Sequence, residues 1–100
     1  MEVKLSRCCQ HEFLSGDRQR GEEYFAADRV RVQEIGMRGV NALALGSQST
    51  PYRVCVDFSH VEDGDLGVYC DCPRFADGDY CKHLWALLRE VEDRYKSRLP

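Results

Sequence analysis

The alternation of apolar and polar residues divides the chain into segments of different period. Residues 1–14 carry no clean period. Residues 15–27 are polar and rich in Arg and Glu, with Tyr24 and Phe25 as the only bulky apolar side chains, which predicts a helix with a narrow buried stripe. Gly21 in its interior costs about 1 kcal/mol relative to alanine, so it marks either a close packing contact or a break. Residues 29–33 alternate as a half-buried strand does, and residues 38–45 form a second short run after the turn signal at 35–39, together predicting a hairpin. Residues 52–58 give the cleanest strand, with Tyr52, Val54, Val56 and Phe58 on one face and Cys55 on the other. After the acidic turn at 62–65, residues 66–70 supply a fourth strand.

From 81 to 97, Leu84, Leu87, Leu88, Val91 and Tyr95 recur at helical spacing with charges between them, and Asp79 is the expected N-cap. The predicted class is therefore α+β: a four-stranded antiparallel meander, an N-terminal helix, and a C-terminal amphipathic helix able to cover one sheet face. Residues 73–80 read as an irregular loop. Residues 15–97 form a single domain in this reading, and residues 1–14 a separate N-terminal segment.

A chain of 100 residues has room for one core and hides only about 60–65% of its unfolded surface. With 43% hydrophobic and 31% charged residues, it is neither disordered by composition nor membrane-like. The net charge of −3 is the wrong sign for a domain that grips nucleic acid through a dominant basic surface. The first residues lack the apolar run of a signal peptide, so a reducing, cytoplasmic setting is expected. In such a setting six cysteines point to metal or redox chemistry rather than to a disulfide framework.

Their spacing decides between the two. Cys70-Asp71-Cys72 closes the last predicted strand, and Cys81-Lys82-His83 opens the final helix after eight intervening residues. Positions i and i+2 of an extended segment face the same side, and Pro73 stops the ladder immediately afterwards. The free N–H groups of a helix start favour a thiolate at Cys81. Three thiolates and an imidazole suit zinc, with bonds of about 2.3 Å to sulfur and 2.0–2.1 Å to nitrogen. Four protein ligands fill the ion, so Cys70, Cys72, Cys81 and His83 predict a structural zinc site with no open position for substrate. Arg74 and Lys82 are expected as counter-charges to the sulfurs. The rival reading is a small dithiol redox protein using Cys70 and Cys72, against which His83, two residues after Cys81, argues for ligation.

The same residues resemble the SWIM zinc finger family, whose pattern is C-x-C, a variable loop, then C-x-H. Cys70, Cys72, Cys81 and His83 take the four ligand positions in order, and Cys72-Pro73 and the run Leu84-Trp85-Ala86-Leu87-Leu88 are also similar to the family. Upstream, Arg20-Gly21-Glu22-Glu23-Tyr24-Phe25 followed by Arg29-Val30 resembles the lead-in of bacterial members, so the resemblance spans residues 13–95. Asp28 departs from it, standing where such lead-ins often have glycine; aspartate tolerates a left-handed backbone better than most residues. The resemblance implies a zinc-binding accessory module of the kind found in bacterial Swi/Snf-type helicases, plant Mutator-like transposases and some kinase and ubiquitin-ligase proteins. It implies DNA or a protein as partner and no catalytic residue.

The expectation is thus a non-enzymatic module, a monomer or part of a larger helicase-type chain, with no membrane and no small-molecule substrate. The end at Leu99-Pro100, directly after a charged helix, suits a fragment cut from something longer. Cys8, Cys9 and His11 could suggest a second metal site but lack a fourth ligand, so they read as spare groups of an amino terminus. Cys55 reads as packing and His60 as solvated. Arg29, Arg31 and Arg53 on one sheet face, or Arg89, Arg94, Lys96 and Arg98 at the end of the last helix, could touch phosphates. Residues 57–79, however, hold seven acidic residues and one basic, so weak, salt-sensitive binding to duplex DNA is expected. Removal of zinc is expected to spare the sheet and unfold the helix from Cys81 onward.

Overall fold

The computed structural model describes residues 12–46, 50–60, 63 and 66–95. In chain order the elements are helix α1 (Ser15–Ala26), strands β1 (Val30–Ile35), β2 (Gly39–Ala44), β3 (Tyr52–Asp57) and β4 (Gly67–Cys70), a short helix α2 (Pro73–Ala76), and helix α3 (Lys82–Arg94). The strands pair antiparallel in the order β1-β2-β3-β4, the expected meander. Among the described residues no helix is long and apolar enough to cross a membrane. Cys8, Cys9, His11, Lys96 and Arg98 lie outside the described residues.

Strand register explains how the core face is assembled. Val32, Ala42, Val54 and Cys70 are cross-strand partners in one row over all four strands, so the first expected ligand is the end of an apolar row. The β1 ladder slips between Val32 and Glu34, and this bulge brings Ile35 opposite Val40, in the row of Val56 and Val68. Without the extra residue Ile35, three positions after Val32, would point to the opposite face. The strand therefore runs two residues past the sequence expectation, into what reads as a turn. The hairpin closes over Met37 and Arg38, with the Gly36 amide donating to the Gly39 carbonyl at 2.9 Å. Gly39 is required there, because a Cβ would sit 2.4 Å from the Val56 carbonyl oxygen.

Helix α3 lies at the centre of the molecule. Leu84, Leu87, Leu88 and Val91 are fully buried, together with Val54 and Phe58 of the sheet side. Trp85 and Ala86 are buried as well, because α1 packs against α3. At that seam Gly21 resolves as a close packing contact: a Cβ would meet Trp85 Cβ at 2.6 Å. Trp85 Nε1 donates to Glu22 Oε1 (3.1 Å), and Arg89 Nε donates to the same oxygen (2.8 Å) while its guanidinium lies 5.0 Å from the Phe25 ring centroid. Phe13, just ahead of α1, packs edge-on against both Trp85 and Tyr80. Between α1 and β1, Asp28 takes φ 58°, the left-handed turn anticipated at the position where glycine is common.

Candidate metal centre

Three elements deliver four donor side chains to one point. Cys70 ends β4 with its side chain in the core row, and the chain then continues its pairing for one more residue. The Asp71 amide donates to the Arg53 carbonyl (3.2 Å), and Asp71 Oδ1 accepts from the Arg53 amide (2.8 Å). That clamp holds Asp71 outward and sends Cys72 back to the side of Cys70. Pro73 then starts α2, with Cys72 as its N-cap residue in extended conformation; its fixed φ suits the first helical position and its missing N–H is no loss there. The loop expected to be irregular therefore contains a helical turn, which ends at Gly78 with φ 95°.

Cys81, in extended conformation, is the N-cap residue of α3. Asp79 is not the cap; its amide donates to the Arg74 carbonyl instead. His83 follows within the first turn of α3. The ligand atoms of Cys70, Cys72, Cys81 and His83 all lie within 4.8 Å of one another, and all four residues are buried. Cys70 Sγ stands 3.7 Å from His83 Nδ1. A tetrahedron with bonds of about 2.0–2.3 Å has edges of about 3.4–3.8 Å, so the donors need to close by at most about an ångström to meet on one ion.

The protonation chemistry of the cluster fits a cation-binding site. A hydrogen bond with Cys70 pulls the Cys81 thiol down to about 4, against its burial and with help from His83 and the Leu84 backbone amide. The same interaction, then burial, pushes Cys70 up. Burial pushes Cys72 up as well. Three buried thiols and an imidazole thus rely on one another and on the backbone amides of Cys72, Phe75 and Leu84, a costly arrangement for polar groups taken from water. Zinc bound to them would supply the missing bonds, and this donor set fits zinc.

Two tyrosines hold the imidazole. The Tyr24 ring meets His83 edge-on at 5.1 Å and Tyr52 lies tilted against it at 4.9 Å. Tyr24 is itself fixed by its hydroxyl, which donates to the Leu45 carbonyl, and its burial raises the phenol's pKa. Neither tyrosine is recognisable as a site residue from the sequence, where Tyr52 reads as a sheet-face residue and Tyr24 as part of a helix stripe. Nor is Asp17, almost fully buried in α1, which accepts from Arg74 Nη2 (2.7 Å) and Arg20 Nη2 (2.9 Å). Burial works to raise the Asp17 pKa, but the two guanidinium groups outweigh it and hold the carboxyl below its ordinary value of 3.8.

The other residues expected to matter have their own partners. Arg74 pairs with Asp17, and Lys82 Nζ stands 5.7 Å from the Tyr24 ring centroid. Arg31 shares the outer sheet face with Arg53, in register through Leu43, and pairs with Asp28. Arg89 pairs with Glu22 and Glu92, and Arg94 with Asp28 and Glu90. Cys55 is half-buried, a free thiol away from the cluster, and His60 is exposed.

Residues 52–92 match the SWIM zinc finger family. The match takes in β3, β4, α2, most of α3 and all four donors, and leaves α1, β1 and β2 outside it, a narrower span than 13–95. No curated protein and no solved structure matches the chain.

Proposed function

We propose that the chain is a structural zinc module of the SWIM type that contributes recognition of DNA or of a protein to a larger, helicase-type protein and catalyses nothing itself. The observation that carries this reading is the donor set: three thiols and one imidazole, all buried, converging from a strand end and two helix starts. Cys70 and Cys72 would hold the ion from the sheet side, Cys81 and His83 from the first turn of α3. Four protein donors fill zinc's tetrahedral shell, which supports a cross-linking role and leaves no position for a substrate. The family match at residues 52–92 supports the same reading; the helicase context and the choice of DNA or protein as partner rest on the wider resemblance.

The dithiol alternative needs a lowered, attackable thiol at Cys70 or Cys72. Both are pushed up instead, and both are buried. Zinc content and thiol reactivity of purified protein, with Cys81→Ser and His83→Ala, test the proposal. One zinc per chain, lost or at least about tenfold weaker in either variant, is expected, with the ligand thiols unreactive until chelation. Unaltered zinc affinity in both variants, or a zinc-free protein with a reversible Cys70–Cys72 disulfide, would contradict it.

A further inference from the structure

Beside the metal centre, between α1 and the start of α3, lies a cleft of about 470 Å³ whose wall is shared with Cys72, Cys81 and His83. Among the described residues four cations line it, Arg20, Arg29, Arg74 and Lys82, and Asp17 is the one acidic residue of its lining. In a chain of net charge −3, this is a segregated positive site. Part of that charge has an internal use: Asp17 takes one hydrogen bond each from Arg20 and Arg74. A zinc ion with three thiolates would carry a net charge of −1 and need a compensating cation. Asp17 and the cluster together account for two of the four positive charges, and two remain.

The surplus is identifiable. Arg29 and Lys82 have no carboxylate partner among the described residues, and both lie beside the same ring, 5.8 and 5.7 Å from the Tyr24 centroid. Arg20 and Arg74 each use one Nη2 on Asp17, which leaves further guanidinium N–H groups, and the Nε of Arg74 is buried with no hydrogen-bond partner. Asp17 in effect holds two arginine forks in place at the cleft, with Arg29 and Lys82 adding unpaired charge. Preorganised guanidinium groups with a further ammonium suit a tetrahedral, multiply charged oxyanion better than a single carboxylate.

The geometry points to a phosphate-binding cleft formed by Arg20, Arg29, Arg74 and Lys82 against the zinc centre. The phosphate would belong either to a nucleic-acid strand or to a free nucleotide, since a cleft of this volume is of small-ligand size and open enough for one chain unit. The inference deepens the proposed recognition role and rests on zinc to hold Cys81 and Lys82 in place. Helix α1 gains a role in it, because Arg20 and Asp17 complete the cleft from outside the span of the family match.

Isothermal titration of zinc-loaded protein with inorganic phosphate, thymidine monophosphate and a ten-residue oligothymidylate tests it, with zinc content measured on every sample. The cleft variant R29Q/K82Q is compared with R38E, the same two-unit charge change made at an exposed residue away from the cleft. At least one probe should bind, and R29Q/K82Q should lose about tenfold or more while R38E keeps its affinity. Tighter binding of the oligonucleotide, with a log–log salt slope of about −1.4 for two phosphates on a single strand, assigns the phosphate to a nucleic-acid strand. Equal binding of the monophosphate assigns it to a free nucleotide. Zinc-loaded protein that binds none of the three, or an equal loss in both variants, overturns the cleft proposal and leaves the zinc module standing. Absence of zinc from the wild-type samples overturns the module itself.

Discussion

At the scale of single residues, the metal centre is a problem of protons as much as of geometry. Cys81 is held down at about 4 by Cys70, whereas that same interaction, then burial, pushes Cys70 up, and burial pushes Cys72 up. At neutral pH the metal-free cluster therefore has one thiolate and two thiols, and binding zinc to three thiolates must expel two protons. Because protons leave on binding, affinity rises with pH: the two raised thiols oppose the metal until the pH approaches their own values. Competition with a chelator between pH 6 and 8 should show apparent zinc affinity increasing by about a hundredfold per pH unit. A pH-independent affinity would mean that the thiols are already ionised. The clustering of Cys70, Cys72, Cys81 and His83 was legible in the sequence, because C-x-C at a strand end and C-x-H at a helix start each orient their two side chains by local geometry. Tyr24, Tyr52 and Asp17 were not legible, since each reaches the site only through tertiary packing.

At the scale of elements, legibility followed the same division between local and tertiary. The alternating strands and the 3.6-residue stripe of α3 report which face is buried, so the meander and the last helix emerge from pattern. The continuation of β1 to Ile35 depends on a bulge that shifts the period by one residue, and a fixed alternation cannot anticipate it. Helix α2 is four residues long, too short for a periodic signal. The seam between α1 and α3 was announced only by Gly21, which marks where two helices come within contact of backbone and Trp85. Substituting Gly21→Ala sets two effects against each other: helix propensity gains about 1 kcal/mol, while overpacking a fixed Trp costs about 1–3 kcal/mol. A Cβ 2.6 Å from Trp85 Cβ cannot be relieved by a side-chain rotation, so overpacking should win. Denaturant unfolding should show net destabilisation; a more stable variant would mean that α1 is free to move off α3.

At the scale of the whole molecule, zinc and core are one system. The sequence suggests that the sheet could outlast the metal, because Val54, Val56 and Phe58 form an apolar face of their own. In the structure that face is covered by α3, whose first turn carries two of the four donors. Freeing α3 would expose Leu84, Leu87, Leu88 and the sheet face together, and α1, which packs on α3, would lose its support. Structural zinc sites contribute about 10–16 kcal/mol of apparent binding free energy in finger peptides, against about 5–15 kcal/mol for the total stability of a domain. Chelation should therefore remove amide-exchange protection from Val54 and Val56 at the same chelator concentration as from Leu84 to Val91. Protection that persists in β2 and β3 after α3 has opened would restore the independent sheet.

Both the cooperativity predicted for the fold and the proposed phosphate cleft rest on Cys70, Cys72, Cys81 and His83 holding one zinc ion that joins β4 to α3. Zinc K-edge X-ray absorption on the purified chain addresses this directly, because sulfur and nitrogen shells separate by distance. Three sulfurs at about 2.3 Å and one imidazole nitrogen at about 2.0–2.1 Å are expected. A shell of nitrogen and oxygen alone, or of four sulfurs without imidazole, would contradict it.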